Sequence, residues 1–184
     1  MNTYGQIREA RTAKMSRGFS LIEVMIATAV LAVGLLSGIL VIAMASANDG
    51  RSKLHSSAVT LAESTMEKIV AIPESAVGVA AETKMTDCSG NTFTIETAAG
   101  GAPLIDSGAF AGAVDFSKPA VGNYAMSYAT CGNGTPVTYD VRWRIDQGPT
   151  PSTQLVTVSA KPIVTAGAAQ FTLPYTLRQL RGDF

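Results

Sequence analysis

The chain has 184 residues, of which 15% are charged, and its 14 basic and 14 acidic side chains leave no net charge. That length suits one modest globular domain plus an anchor. The weak and balanced charge argues against a nucleic-acid binder, whose affinity grows with the number of phosphates it neutralises. No nucleophile motif and no carboxylate cluster of recognisable spacing is present, and the single histidine, His55, lies outside the C-terminal part of the chain, so the sequence is read as that of a non-enzyme with no cofactor.

Residues 1–18 carry Arg8, Arg11, Lys14 and Arg17 against Glu9. Basic residues ahead of a membrane helix are retained on the cytoplasmic side, which sends the rest of the chain outward. Residues 19–47 then form an almost wholly apolar run, broken by one charge, Glu23; the next charge is Asp49. About 20 apolar residues suffice to cross a bilayer, and no proline interrupts the run, so a continuous helix is expected. A secretory signal has a shorter apolar core. The small residues of Ala43-Met44-Ala45-Ser46-Ala47 nevertheless keep ordinary signal cleavage open as an alternative, as the hydropathy does an uncleaved anchor carrying an extracytoplasmic binding module. A carboxylate such as Glu23 at the centre of a membrane helix costs about 2.5–3.5 kcal/mol, and less near an interface. Glu23 is therefore either close enough to the interface to reach water or in need of a partner. Gly34 and Gly38 have the G-x-x-x-G spacing that allows two helices to approach closely.

The stretch Gly18-Phe19-Ser20-Leu21-Ile22-Glu23-Val24 resembles the prepilin processing motif of type IV pilins and of type II secretion pseudopilins. All its parts are present: a short basic leader ending in Gly, an aromatic residue after it, and a Glu four residues on, inside an apolar helix. The resemblance implies cleavage between Gly18 and Phe19 by a membrane-embedded prepilin peptidase, methylation of the new amine, and pairing of Glu23 with that amine on a neighbouring subunit. The implied partners are other pilin subunits, the peptidase and an inner-membrane assembly platform, and the implied location is the inner membrane and then a surface fibre. Major pilins carry a proline in this stretch that loosens the helix; here only Gly34 and Gly38 are candidates for that role. Leu61-Ala62-Glu63-Ser64-Thr65-Met66-Glu67 and the Ile-Pro that follows resemble PilV-like minor pilins, which favours a pilus over a secretion pseudopilus.

Asn48-Asp49-Gly50-Arg51 marks the exit into water. Leu54, Ala58, Leu61, Ala62, Met66 and Ile69 then recur at three- and four-residue spacing, one apolar stripe on an amphipathic helix over residues 48–72 that Pro73 ends. A single helix over residues 19–72 is roughly 80 Å long at 1.5 Å per residue. His55, a lone histidine, is expected at a surface or interface, not as a ligand.

Residues 73–184 are expected to form the extracytoplasmic domain. Residues 73–90 read as polar and irregular. A first strand is expected over residues 92–97, a loop over 98–122 and another strand over 124–130. Val137, Tyr139, Val141, Trp143 and Ile145 alternate with Thr138, Asp140, Arg142, Arg144 and Asp146, giving one apolar face and one charged face. A Gly/Pro turn over residues 146–151 leads to a strand over residues 155–161, with Val156, Val158 and Ala160 on one side. Phe171, Leu173, Tyr175 and Leu177 give a last strand, placed at an edge by Pro174. Arg142, Arg144, Arg178 and Arg181 form a basic patch if their strands are neighbours, although a solvated strand face is the commoner arrangement. Cys88 and Cys131 lie on the side assigned as oxidising, so a disulfide closing about 42 intervening residues is expected from compartment alone, and their spacing supports no metal pair. An antiparallel sheet with one apolar face needs a cover, and the stripe on the long helix supplies it. The expected class is α+β, a long helix packed on an antiparallel sheet, as in pilins.

Overall fold

A computed structural model describes residues 18–72, 83–132, 136–163 and 173–182. The chain divides by its contacts into two units, Met1–Ser46 and Ala47–Phe184.

One helix, α1 (Leu21–Val70), runs through both. In the first unit it is exposed all round, with Leu31, Leu35, Leu36 and Leu40 among its bare side chains. In the second it has sides. Ala58, Leu61, Ala62, Thr65, Met66 and Ile69 are buried, which is the expected stripe with Thr65 added and Leu54 half-buried at its start. Thr65 is admitted because its hydroxyl donates back to the Leu61 carbonyl at 2.8 Å and lies 3.7 Å from Met85 Sδ.

The strands are β1 (Thr83–Thr86), β2 (Thr92–Ile95), β3 (Gly100–Gly101), β4 (Ala125–Thr130), β5 (Val137–Gln147), β6 (Thr153–Ile163) and β7 (Tyr175–Gly182). β1 and β2 form an antiparallel hairpin. The other five make one antiparallel sheet in which β3 and β4 share one edge of β5, β6 lies on its other side and β7 follows β6. The α+β architecture is therefore present: a long N-terminal helix, apolar at first, whose later turns pack on antiparallel sheet, consistent with a pilin-like fold. Alternation along β5 and β6 sends Tyr139, Val141, Trp143, Ile145, Val156, Val158 and Ala160 inward, all buried in one core with the helix stripe, Met85, Ile95 and Met126.

Several expectations are corrected. Residues 83–86, within the stretch read as irregular, form β1; Met85 is its one buried side chain, too little for a visible alternation. The strand expected over residues 92–97 ends at Ile95, where Glu96 turns its carboxylate back to accept the backbone N–H of Thr97 and Ala98. The last strand begins at Tyr175, after Pro174, and runs on to Gly182; Phe171 lies outside the described residues, as do 73–82. The helix begins at Leu21 and its last turn closes at Ile72.

The stretch over residues 98–122 is also more ordered than expected. It contains β3 and a narrow hairpin, held by the Leu104–Val114 bridge and by N–H donation from Ile105 to Ala113, from Gly112 to Ile105 and from Asp115 to Pro103. This hairpin serves the charged face of the sheet. Arg142 donates to both Asp140 carboxylate oxygens and to the Lys118 carbonyl, and its guanidinium stands 4.9 Å from the centre of the Phe116 ring, with Lys161 5.8 Å from the same ring. Arg144 pairs with Asp146 at 2.6 Å and reaches the Ala102 carbonyl. Arg178 donates to the Gly112 carbonyl. Gly112 has φ +80°, and a Cβ there meets the Arg178 guanidinium, so the turn and the contact both require glycine. The outer strand face is thus covered in part, over Arg142, while Arg178 stays exposed, and the four arginines do not make one patch.

Arg181 is on the opposite face, 2% exposed. It donates to the Ile69 carbonyl at 3.1 Å, to the Thr97 carbonyl at 3.0 Å and to Gln154 Oε1. The last carbonyls of a helix have no intrahelical donor, and a cation there also meets the negative end of the helix dipole. Replacing Arg181 with Met leaves buried acceptors bare, at about 1–3 kcal/mol each. We expect Arg181→Met to lower the unfolding free energy of the detergent-solubilised full chain by at least about 2 kcal/mol, read from its urea midpoint.

Candidate functional site

The candidate site is the start of α1. The Ser20 carbonyl accepts the N–H of Glu23 at 3.0 Å and of Val24 at 3.2 Å, so Ser20 is the N-cap and Glu23 the third helical residue. The Ser-x-x-Glu spacing is a helix-start signature legible in the sequence but missed there. Its effect is to place Glu23 among the unpaired N–H groups of the first turn, where negative charge is favoured by about 0.3–1 kcal/mol. Phe19 is 81% exposed. With Glu23, Val24, Ala27, Thr28 and Leu31 it lines a shallow recess of about 450 Å³. The structure thus brings Phe19 and Glu23 to one side of the chain, directly after Gly18.

Gly34 and Gly38 follow on the same side. Eleven and fifteen residues separate them from Glu23, about three and four turns at 3.6 residues per turn. Nothing stands within 4 Å of a Cβ placed at either glycine. The Thr28 and Ser37 hydroxyls each donate to a carbonyl three residues back, at 2.9 Å, so neither needs water. Satisfied hydroxyls of this kind are what a lipid-facing helix requires. The helix is long and apolar enough to cross a membrane.

Cys88 and Cys131 form a disulfide with Cα atoms 5.7 Å apart across 43 positions of sequence. It joins the β1–β2 turn to the end of β4, so it ties two separate sheets together. In the chain-entropy description a loop of this size is worth about 4 kcal/mol. Asp87 organises the same corner. Its carboxylate accepts the N–H of Ser89 and of Asn91, the Asn91 side-chain amide and the Ala129 N–H. His55 is exposed and stands edge-on to Tyr175, with ring centres 5.5 Å apart. Among the described residues no group of three or more His, Cys, Asp or Glu is placed to hold a metal ion.

Residues 13–47 match the family model of the prokaryotic N-terminal methylation motif. This end of the chain carries a prepilin-type motif of the kind found in type IV pilin-like and pseudopilin precursors. The motif implies processing by prepilin peptidase and assembly with other pilins in a membrane-associated system, and together with the apolar helix it fits a membrane-anchored precursor. Neither the comparison with curated proteins nor that with solved structures gives a match.

The disulfide corner has a pH dependence. Partial burial pushes the Asp87 carboxyl up, but the bonds from the Asn91 side chain and from the N–H groups of Asn91, Ala129 and Ser89 outweigh it and hold the carboxyl below the ordinary 3.8. A depressed carboxyl contributes stability above the unfolded value of about 3.9 and loses it as pH falls through the folded one. Asp87→Asn is expected to lower the denaturant midpoint at pH 7. The gap to the parent chain should narrow below about pH 4; a gap that holds constant from pH 7 to pH 2 contradicts this account.

Proposed function

We propose that the chain is a minor pilin of a type IV pilus, a structural subunit related to the PilV-like group. In this reading residues 1–18 are the leader removed by prepilin peptidase, residues 19–47 the membrane and then fibre-core helix, residues 48–72 its amphipathic continuation, and residues 73–184 the extracytoplasmic domain. The observation that carries it is the geometry at the start of α1. Gly18 stands just outside the helix, Phe19 is exposed beside Glu23, and both belong to the matched motif. Cleavage after Gly18 creates an amine on Phe19, and Glu23 of a neighbouring subunit takes it as partner, removing an isolated carboxylate from an apolar medium. Gly34 and Gly38, open and on the Glu23 side, allow helices to approach along that line. The inner-membrane platform receives the subunit with its N-terminus cytoplasmic, as the basic leader favours. The resemblance of residues 61–67 to minor pilins supports the pilus over the secretion pseudopilus.

The test is the mass of the N-terminal peptide from membrane and sheared-fibre fractions. A chain that starts at Phe19 with one added methyl group is expected, and one that still starts at Met1 in fibres overturns the reading. Glu23→Ala is expected to leave cleavage intact and to keep the subunit out of sheared fibres; normal incorporation removes the pairing.

A further inference from the structure

The helix α1 passes through two kinds of surroundings that stabilise it and one short stretch that has neither. Residues 21–46 are apolar and suited to lipid. From Ala58 to Ile69 one side is buried against the core of the second unit. Residues 48–52 read Asn-Asp-Gly-Arg-Ser, too polar for lipid, and every residue from 47 to 53 is exposed. Four of those five residue types are poor helix formers, Gly the poorest. Asn, Asp and Ser also compete with the helix by bonding to nearby backbone. Packing does not require glycine at position 50, since nothing stands within 4 Å of a Cβ built there. The one local support is the Asp49–Lys53 pair at 2.7 Å, with both side chains mostly in solvent, and exposed pairs of this kind add little.

We propose that residues 48–52 are a built-in opening point of α1, the turn whose hydrogen bonds break first while the core contacts from Ala58 onward stay intact. Helical stability in proteins comes mainly from packing of an apolar face, and local opening concentrates where such contacts are few. This turn has the helical backbone but no buried side chain, with only Arg51 and Ser52 at the rim of a recess that Pro162 and Leu173 also line. Its opening takes each residue from a rise of 1.5 Å to about 3.3 Å, so five residues lengthen the chain by roughly 9 Å without disturbing the sheet. A subunit pulled along its helix yields here before it unfolds. The inference concerns the helix alone and does not depend on which fibre the chain serves.

The experiment is amide hydrogen exchange on the full-length chain in detergent micelles, with Gly50→Ala alongside. Amides of residues 49–54 are expected to exchange at least tenfold faster than those of Glu63 and Glu67, which are exposed on the packed part of the same helix. Gly50→Ala is expected to slow them about fivefold, the factor that matches the helix preference of Ala over Gly, and to leave Glu63 and Glu67 unchanged. Equal protection at residues 49–54 and at Glu63 and Glu67 overturns the proposal. So does fast exchange that Gly50→Ala does not slow, because composition then does not set the opening.

Discussion

The second unit depends on the burial of one helix stripe against one sheet face. Leu61, Met66 and Ile69 are worth about 1.5–3 kcal/mol each when fully buried, and the inward side chains of β5 and β6 have the same need. Burial alone does not fix register, because apolar contacts are non-directional. Hydrogen bonds at the two ends of the stripe do that. The Tyr139 hydroxyl donates to the Leu54 carbonyl at 3.3 Å, and Arg181 holds the Ile69 carbonyl. Between them the Trp143 indole donates to the Glu96 carbonyl at 2.9 Å, which brings the end of β2 onto the same face.

Strand alternation forces the opposite consequence on the outer face. Each inward apolar residue of β5 sets a charged one outward, and paired strands add Lys161 and Arg178 to that side. Arg142 is buried there, a costly position for a cation without partners. Asp140 on the same strand supplies the carboxylate, the chain after the 103–115 hairpin adds the Lys118 carbonyl and the Phe116 ring, and the hairpin itself offers the Gly112 carbonyl to Arg178. A long connection is ordered here because arginines need acceptors and its backbone has them to offer.

What was legible in the sequence follows from period. The helix stripe and the alternation of β5 repeat often enough to be read directly, and the β5–β6 hairpin follows from the turn between them. β1 was not legible because a four-residue strand with one buried side chain has no period. β3 was not, because two glycines carry no pattern; Gly101 has φ +119° and lies so close to the Trp143 carbonyl and the Tyr124 ring that a Cβ does not fit, it pairs with Arg144, and the next residue, Ala102, donates its N–H to the Trp143 carbonyl at 2.9 Å. The role of Arg181 was hidden for another reason. In sequence it follows Arg178 as one more charge on an edge strand, and only register opposite Gln154 turns it toward the helix end. At the candidate site, the residues of the motif were legible by resemblance and Ser20 by its spacing to Glu23. That Glu23 and the two glycines share a side is a matter of helical phase, available from 3.6 residues per turn once the helix start is known; Phe19 precedes the N-cap, and its place beside Glu23 comes from the structure alone.

The first unit presents an imbalance whose size bears on assembly. Its hydroxyls at Thr28 and Ser37 are satisfied within the helix, so among residues 18–48 Glu23 is the one group whose charge has no internal answer. A central membrane position for a carboxylate costs about 2.5–3.5 kcal/mol, while the first-turn N–H groups return about 0.3–1 kcal/mol. The remainder, on the order of 2 kcal/mol for a fully inserted group and less near the interface, is a standing bias toward any arrangement that brings a cation to Glu23. In the proposed reading, leader removal after Gly18 places one four residues away in each subunit, beside Glu23. In the proposed fibre, a neighbour's amine offsets that remainder, and the gain exists only after cleavage, so processing and assembly are coupled through one carboxylate.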